Sequence, residues 1–196
     1  MSLPDYQKAI AAYEEYLPMV RAGKDQMEEL QTLALLSSAY GALGENQKQI
    51  VVLEQQLILS QEIRITGFES YALLSLSSAY ELLGDPQKAL TYREQAVQLA
   101  QKAQDPSQEV LALQQLALLY GRTGNAEKLI SILEQSVAIA QKSNNQFSLA
   151  LALDYLSIYL GDSTDRNCYL SLSEFATILG ANKRCRKWHF SINFFR

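Results

Sequence analysis

His189, Cys168 and Cys185 are the side chains best suited to nucleophilic, acid–base or metal chemistry, and all three lie late in a chain of 196 residues. His189 is the only histidine, so no multi-histidine metal site can be built, and it lies outside the regular part of the chain where a Ser-His-Asp arrangement would need it. The cysteines stand 17 residues apart without CxxC pairing, and a thiolate nucleophile needs a nearby base. They read as structural or incidental residues that imply no disulfide framework and suit a reducing compartment. No GxxxxGK(S/T) or GxGxxG loop is present to cradle phosphates. Carboxylates are plentiful, including Glu14-Glu15 and Glu28-Glu29, but adjacent acids on a helix point about 100° apart and do not converge on one substrate. The reading is therefore non-enzymatic, with no cofactor and no metal.

The acids are more informative for their spacing. Glu14, Glu54, Glu94, Glu134 and Glu174 fall 40 residues apart, as do Leu36, Leu76, Leu116 and Leu156. Tyr40, Tyr80 and Tyr120 keep the same period, each followed four residues later by Gly44, Gly84 or Gly124. A fixed period of this length means one small unit repeated and stacked, and the periodic glutamates suit repeated hydrogen bonding between neighbouring helices better than catalysis. Each unit predicts two helices of about 16 and about 18 residues joined at the Tyr-x-x-x-Gly mark. Glycine suits the left-handed position that ends a helix, while Asp85 or Asn125 can cap the next one, with Pro86 in its first turn. Leu33, Leu36 and Tyr40, with their counterparts Leu73, Leu76 and Tyr80 and Leu113, Leu116 and Tyr120, form an i, i+3, i+7 stripe packed on one face. The second helices carry Ile10, Ile50, Leu90, Ile130 and Leu170, then Met19, Leu59, Leu99, Ile139 and Leu179 on a matching stripe. Compact residues follow at Ser60, Ala100, Ala140 and Gly180, where close helix crossings would need them.

A solenoid grows by stacking, so one domain can reach this length without a second core. The composition is rich in Leu, Ala, Gln, Ser and Glu with only four prolines, which favours an all-α class. The first 23 residues carry acids and amides in place of the apolar core of a signal peptide, and no stretch approaches the roughly 18 apolar residues of a membrane span. A cytoplasmic location follows as the expectation. The formal charge of −4 hides an asymmetry: Lys183, Arg184, Arg186, Lys187 and Arg196 give the tail five positive charges and no acid. Removing those five leaves −9 on residues 1–182, an acidic body that repels phosphate backbones and excludes nucleic acid as a partner along the repeats.

Leu73, Leu76, Ser77, Tyr80, Gly84, Asp85, Ala89, Leu90 and Ala96 together carry a pattern that resembles the tetratricopeptide repeat. The family's unit of about 34 residues is lengthened here to 40, similar to kinesin light chains and to bacterial signalling proteins with such arrays. The resemblance implies a right-handed α-solenoid of stacked antiparallel helix pairs over residues 5–183. Its parts are a half repeat at 5–23 and repeats at about 26–64, 67–104, 107–144 and 147–183, with residues 184–196 as a tail outside the pattern. The copies depart from the family in carrying leucine for the early aromatic of the first helix, and Gln49 and Leu129 where a small residue is usual in the second. HEAT repeats share the unit length but not the pattern, lacking here their proline and their Asp and Arg ladder.

The resemblance also implies a concave groove lined by the first helices, in which a partner protein or peptide lies. Its positions, carried over copy by copy, include Ser38; Tyr71, Leu74, Ser78 and Glu81; Gln114 and Leu118; and Asp154 and Ile158. The groove shifts from small and polar to apolar along the chain, and Asp154 suits a basic or amide group. The Lys, Asn and Arg set with which family members clamp a peptide carboxylate is absent from these positions. Gly41, Gly121 and Gly161 each cost a helix about 1 kcal/mol relative to alanine, which favours close approach of a ligand or helix there.

Two regions stand apart. The chain begins inside a unit, so Tyr6, Tyr13 and Tyr16 are expected on an uncovered end helix that either caps the array or mediates a homodimer. In the tail, Trp188, Phe190, Ile192 and Phe194 alternate with a strand period, as an end segment folded over the last repeat or irregular. The expected function is a scaffold for protein–protein interaction. The alternatives are an adaptor or sensory fragment of a larger multidomain signalling protein, and a self-assembling structural module.

Overall fold

Leucine-rich stripes at helical spacing, broken at fixed intervals by polar turns, form eight helices among the described residues. A computed structural model of the chain describes residues 3–144 and 146–160. The helices are α1 (Leu3–Gly23), α2 (Gln26–Ala42), α3 (Asn46–Glu62), α4 (Thr66–Leu82), α5 (Pro86–Ala103), α6 (Pro106–Arg122), α7 (Ala126–Lys142) and α8 (Gln146–Leu160). No strand occurs among the described residues. The chain forms two compact units, one over residues 1–104 and one beginning at Asp105.

Two kinds of turn alternate. Gly44, Gly84 and Gly124 take φ of +72°, +77° and +79°, the left-handed conformation that closes the first helix of each pair. The other turns place Lys24, Arg64, Gln104 and Asn144 in the same region at φ of 52° to 59°, at a cost that glycine would not incur. Side-chain caps start four of the helices. Asp25, Asp85 and Asn125 accept from the backbone N–H of Glu28, Lys88 and Lys128, and Asp105 accepts from those of Ser107 and Gln108. Each satisfies donors that the first turn leaves free.

In the first unit α1 to α5 pack in chain order, and α2 also meets α4. One core joins Ile10 and Leu17 of α1 with Leu33, Leu36 and Tyr40 of α2 and Val52 of α3. A second joins Ile50 and Leu53 of α3 with Leu76 and Ala79 of α4, and Tyr92 of α5 packs against it. In the second unit α6, α7 and α8 enclose Val110, Ala140 and Leu149. The expected seam of the second helices is corrected at one place. Met19 is 66% exposed, while Val20 next to it is buried, as are Ser60 and Ala140 at the same register. Leu59 and Ile139 at the register of Met19 still pack against cores, because α3 and α7 have a helix on two sides. Among the described helices α1 packs against α2 alone and leaves Met19, about 180° around from Ile10, uncovered.

Residues 161–183 of the expected fourth repeat and the tail at 184–196, with Cys168, Cys185 and His189, lie outside the described residues.

Candidate functional site

Helices α2 and α4 run side by side in the first unit and leave an open depression of about 370 Å³ between their exposed faces. Four of the expected groove residues, Ser38, Tyr71, Leu74 and Ser78, line it together with Gly41, Gln49, Ser75, Ala79 and Leu82. The helical period explains the grouping: Tyr71, Leu74, Ser78 and Leu82 recur at three- and four-residue steps on one side of α4, while the buried Leu73, Leu76 and Ser77 occupy its inner side. Leu82 is 72% exposed and Tyr71 40% exposed, so both offer apolar surface at the rim. The Ser78 hydroxyl donates back to the Leu74 carbonyl of its own helix at 3.1 Å. Glu81 is half-buried on α4 and does not line the depression.

Gly41 and Gln49 explain each other. A Cβ on Gly41 would stand 2.5 Å from Nε2 of Gln49, so the missing side chain on α2 is what lets the amide from α3 lie against it. The close approach expected at this glycine is thus made by a side chain of the protein. The two departures from the repeat pattern are one feature: a large residue on the second helix and an empty position opposite it.

The second unit places its expected residues differently. Gln114 is buried, with 2% exposure, and its Nε2 has no hydrogen-bond partner; its side chain is not presented as a groove residue. The physical reason lies in α6 itself. Val110, Leu113, Gln114 and Ala117 form an i, i+3, i+4, i+7 stripe, all buried, and Gln114 is swept into it. Leu118 is half-buried on the same helix. Asp154 and Ile158 sit on α8, and their side chains lie outside the described residues.

A polar ladder that sequence reasoning saw only in part lies beside the cores. Tyr40 donates its hydroxyl to Glu14 Oε1, and Tyr80 donates to Glu54 Oε1 at 3.3 Å, so each tyrosine ties its helix to the preceding one. Lys48, Lys88 and Lys128 place their ammonium groups 5.3, 4.8 and 4.8 Å from the ring centroids of Tyr40, Tyr80 and Tyr120. The signal was available, since these lysines also stand 40 residues apart, eight after each tyrosine. Burial pushes the Tyr40 phenol up to about 12, reinforced by its hydrogen bond to Glu14 and by the charges of Glu14 and Glu45. Tyr80 and Tyr92, stacked at 5.5 Å between ring centroids, are likewise raised, first by burial and then by the charge of Glu54. Tyr40 and Tyr120 are buried, and the role of the set is to fasten helices.

Among the described residues no group of three His, Cys, Asp or Glu side chains could hold a metal ion, and no helix is long and apolar enough to cross a membrane.

Antiparallel helix pairs in a 40-residue register, closed by left-handed glycines, define the class: an all-α helical-repeat protein of solenoid type. Residues 69–142 match the tetratricopeptide repeat family. No curated protein matches it in sequence. Solved structures share its fold at low identity. A kinesin-light-chain-type protein of Podosopora anserina with nearly identical TPR-like repeats is 22% identical with a TM-score of 0.66, over 86% of this chain and 84% of that one. A Rap protein in complex with competence and sporulation factor is 16% identical with a TM-score of 0.65, over 88% of this chain and 48% of that one. A signal transduction ATPase with numerous domains from Pyrococcus horikoshii, which has a tetratricopeptide repeat sensor, is 21% identical with a TM-score of 0.64, over 79% of this chain and 24% of that one. The chain thus spans about half of the Rap protein and a quarter of the ATPase.

Proposed function

We propose that the chain is a non-enzymatic, cytoplasmic scaffold that binds a partner protein or peptide against the α2 and α4 face of its first unit. The observation that carries this reading is the open depression lined by Ser38, Tyr71, Leu74 and Ser78, four positions that the repeat pattern designates for a partner. Apolar surface at Tyr71, Leu74 and Leu82 supplies burial, and the flanking hydroxyls supply orientation. Leu118, Asp154 and Ile158 of the second unit are proposed as further partner residues.

The test is selection of a displayed library of random 12-mer peptides on the purified protein, followed by titration of the enriched peptides. Ser78→Arg, at an exposed helical position, and Leu74→Glu are expected to abolish binding while the far-ultraviolet circular dichroism stays that of the parent. Unchanged affinity in both variants moves the site elsewhere.

A second reading makes this chain the sensory or adaptor part of a multidomain signalling protein. The similarity to the repeat sensor of the ATPase and to the factor-bound Rap protein favours it. A third, homodimerisation through α1, draws on the exposure of Tyr16 and Met19. Sedimentation across a range of concentrations decides the third, because a strict monomer excludes it.

A further inference from the structure

The peptide-binding reading leaves open what the depression recognises, and Gln49 narrows it. This residue is half-buried, lines the depression, and has no hydrogen-bond partner for its carboxamide among the described residues. At the same register the other second helices carry Ala9, Ala89 and Leu129, so no other described copy places a hydrogen-bonding group there. The empty position at Gly41 makes room for the amide, because a Cβ there would stand 2.5 Å from its Nε2.

We infer that Gln49 is a specificity-determining residue whose carboxamide pairs with the main-chain N–H and C=O of one residue in an extended, uncharged peptide segment lying between α2 and α4. A carboxamide presents N–H donors and a C=O acceptor side by side, which matches the N–H and C=O of one residue in an extended chain, since those two groups point to the same side. Only an extended segment presents those groups, since a helix spends all but its end groups on itself. None of the lining side chains is an acid, a lysine, an arginine or a histidine, so a charged terminus or side chain would enter without a counter-charge at a desolvation cost. The rim leucine and tyrosine fit an apolar residue on either side of the bound peptide unit.

The inference rests on the peptide-binding reading, and the experiment separates the two. A peptide selected on the parent protein is titrated against Gln49→Ala and Gly41→Ala, with an N-methyl group placed on each peptide nitrogen in turn. Gln49→Ala restores the alanine of neighbouring copies and keeps the fold; Gly41→Ala pushes the amide aside by its Cβ. Both are expected to weaken binding about tenfold. One N-methyl position is expected to cost as much in the parent and nothing in Gln49→Ala, the sign of a shared hydrogen bond. Parental affinity in Gln49→Ala, with Ser78→Arg inactive, overturns the inference and leaves the peptide site standing. A selected peptide that turns helical on binding also overturns it. Failure to select any peptide, or binding that survives both Ser78→Arg and Leu74→Glu, removes both.

Discussion

At the scale of single residues, the periodic tyrosine packs as its stripe implies and gains polar partners that the stripe alone does not name. Tyr40 is buried between Glu14, which accepts its hydroxyl proton, and Lys48, which covers its ring. Tyr40→Phe keeps the ring and the cation above it and removes only the hydrogen bond. Because Glu14 is exposed and regains water, the expected loss is about 1 kcal/mol, read as a lowered urea midpoint. The same phenol has a signature in alkali. Its folded value of about 12 lies above the ordinary value near 10, so its contribution is full below pH 10 and is lost as the pH rises through 12. Tyr40→Phe is expected to remove a component of the phenolate absorbance titration that ionises near pH 12; an unchanged titration curve would refute the assignment. The tyrosine and glutamate periods were both legible in the sequence, yet their pairing across 26 residues was not, since it depends on which helix lies next to which. Gln114 shows the same limit from the other side: its register named a groove position, while its neighbours Val110 and Ala117 drew it into the core.

At the scale of elements, two glycines illustrate when a missing side chain matters. Gly84 sits at φ +77° with open space where a Cβ would go, so alanine there meets no atom and its cost is purely conformational. Gly84→Ala is expected to destabilise the protein by about 1 kcal/mol in urea unfolding. Gly41 lies within α2, where alanine is the better helix former and the only clash is with the movable end of Gln49. Gly41→Ala is therefore expected to leave the urea midpoint equal or higher while weakening peptide binding, and a lowered midpoint would mean that the glycine is structural. Helix positions and the glycine turns were readable, because Gly44, Gly84, Gly124 and the Asp and Asn caps are local signals. The other turns were less explicit. Lys24, Arg64 and Gln104 adopt the left-handed conformation without glycine, held there by the helices on either side. The depression itself was half legible: the repeat pattern named its α2 and α4 residues, whereas Gln49 entered from α3 only once Gly41 was seen to make room.

At the scale of the whole molecule, a repeat array draws its stability from each element and its nearest neighbours, and the two compact units have cores of their own. Leu33 in α2 and Leu133 in α7 are both fully buried, so replacing either with alanine removes equivalent packing from different units. Each substitution is expected to cost about 2 to 5 kcal/mol. The distribution of that cost is the informative quantity, and amide hydrogen exchange reads it helix by helix. Leu33→Ala should speed exchange chiefly in α1, α2 and α3, which share its core, and Leu133→Ala chiefly in α6, α7 and α8. Uniform acceleration over all described helices would instead show one cooperative unit. The consequence for function follows from where the depression lies. Its walls belong entirely to the first unit, so Leu33→Ala should weaken the selected peptide, and Leu133→Ala should leave its affinity unchanged at temperatures where both variants remain folded. Equal losses in the two variants would tie peptide recognition to the integrity of the whole array, and the binding face would then have to be sought beyond α2 and α4.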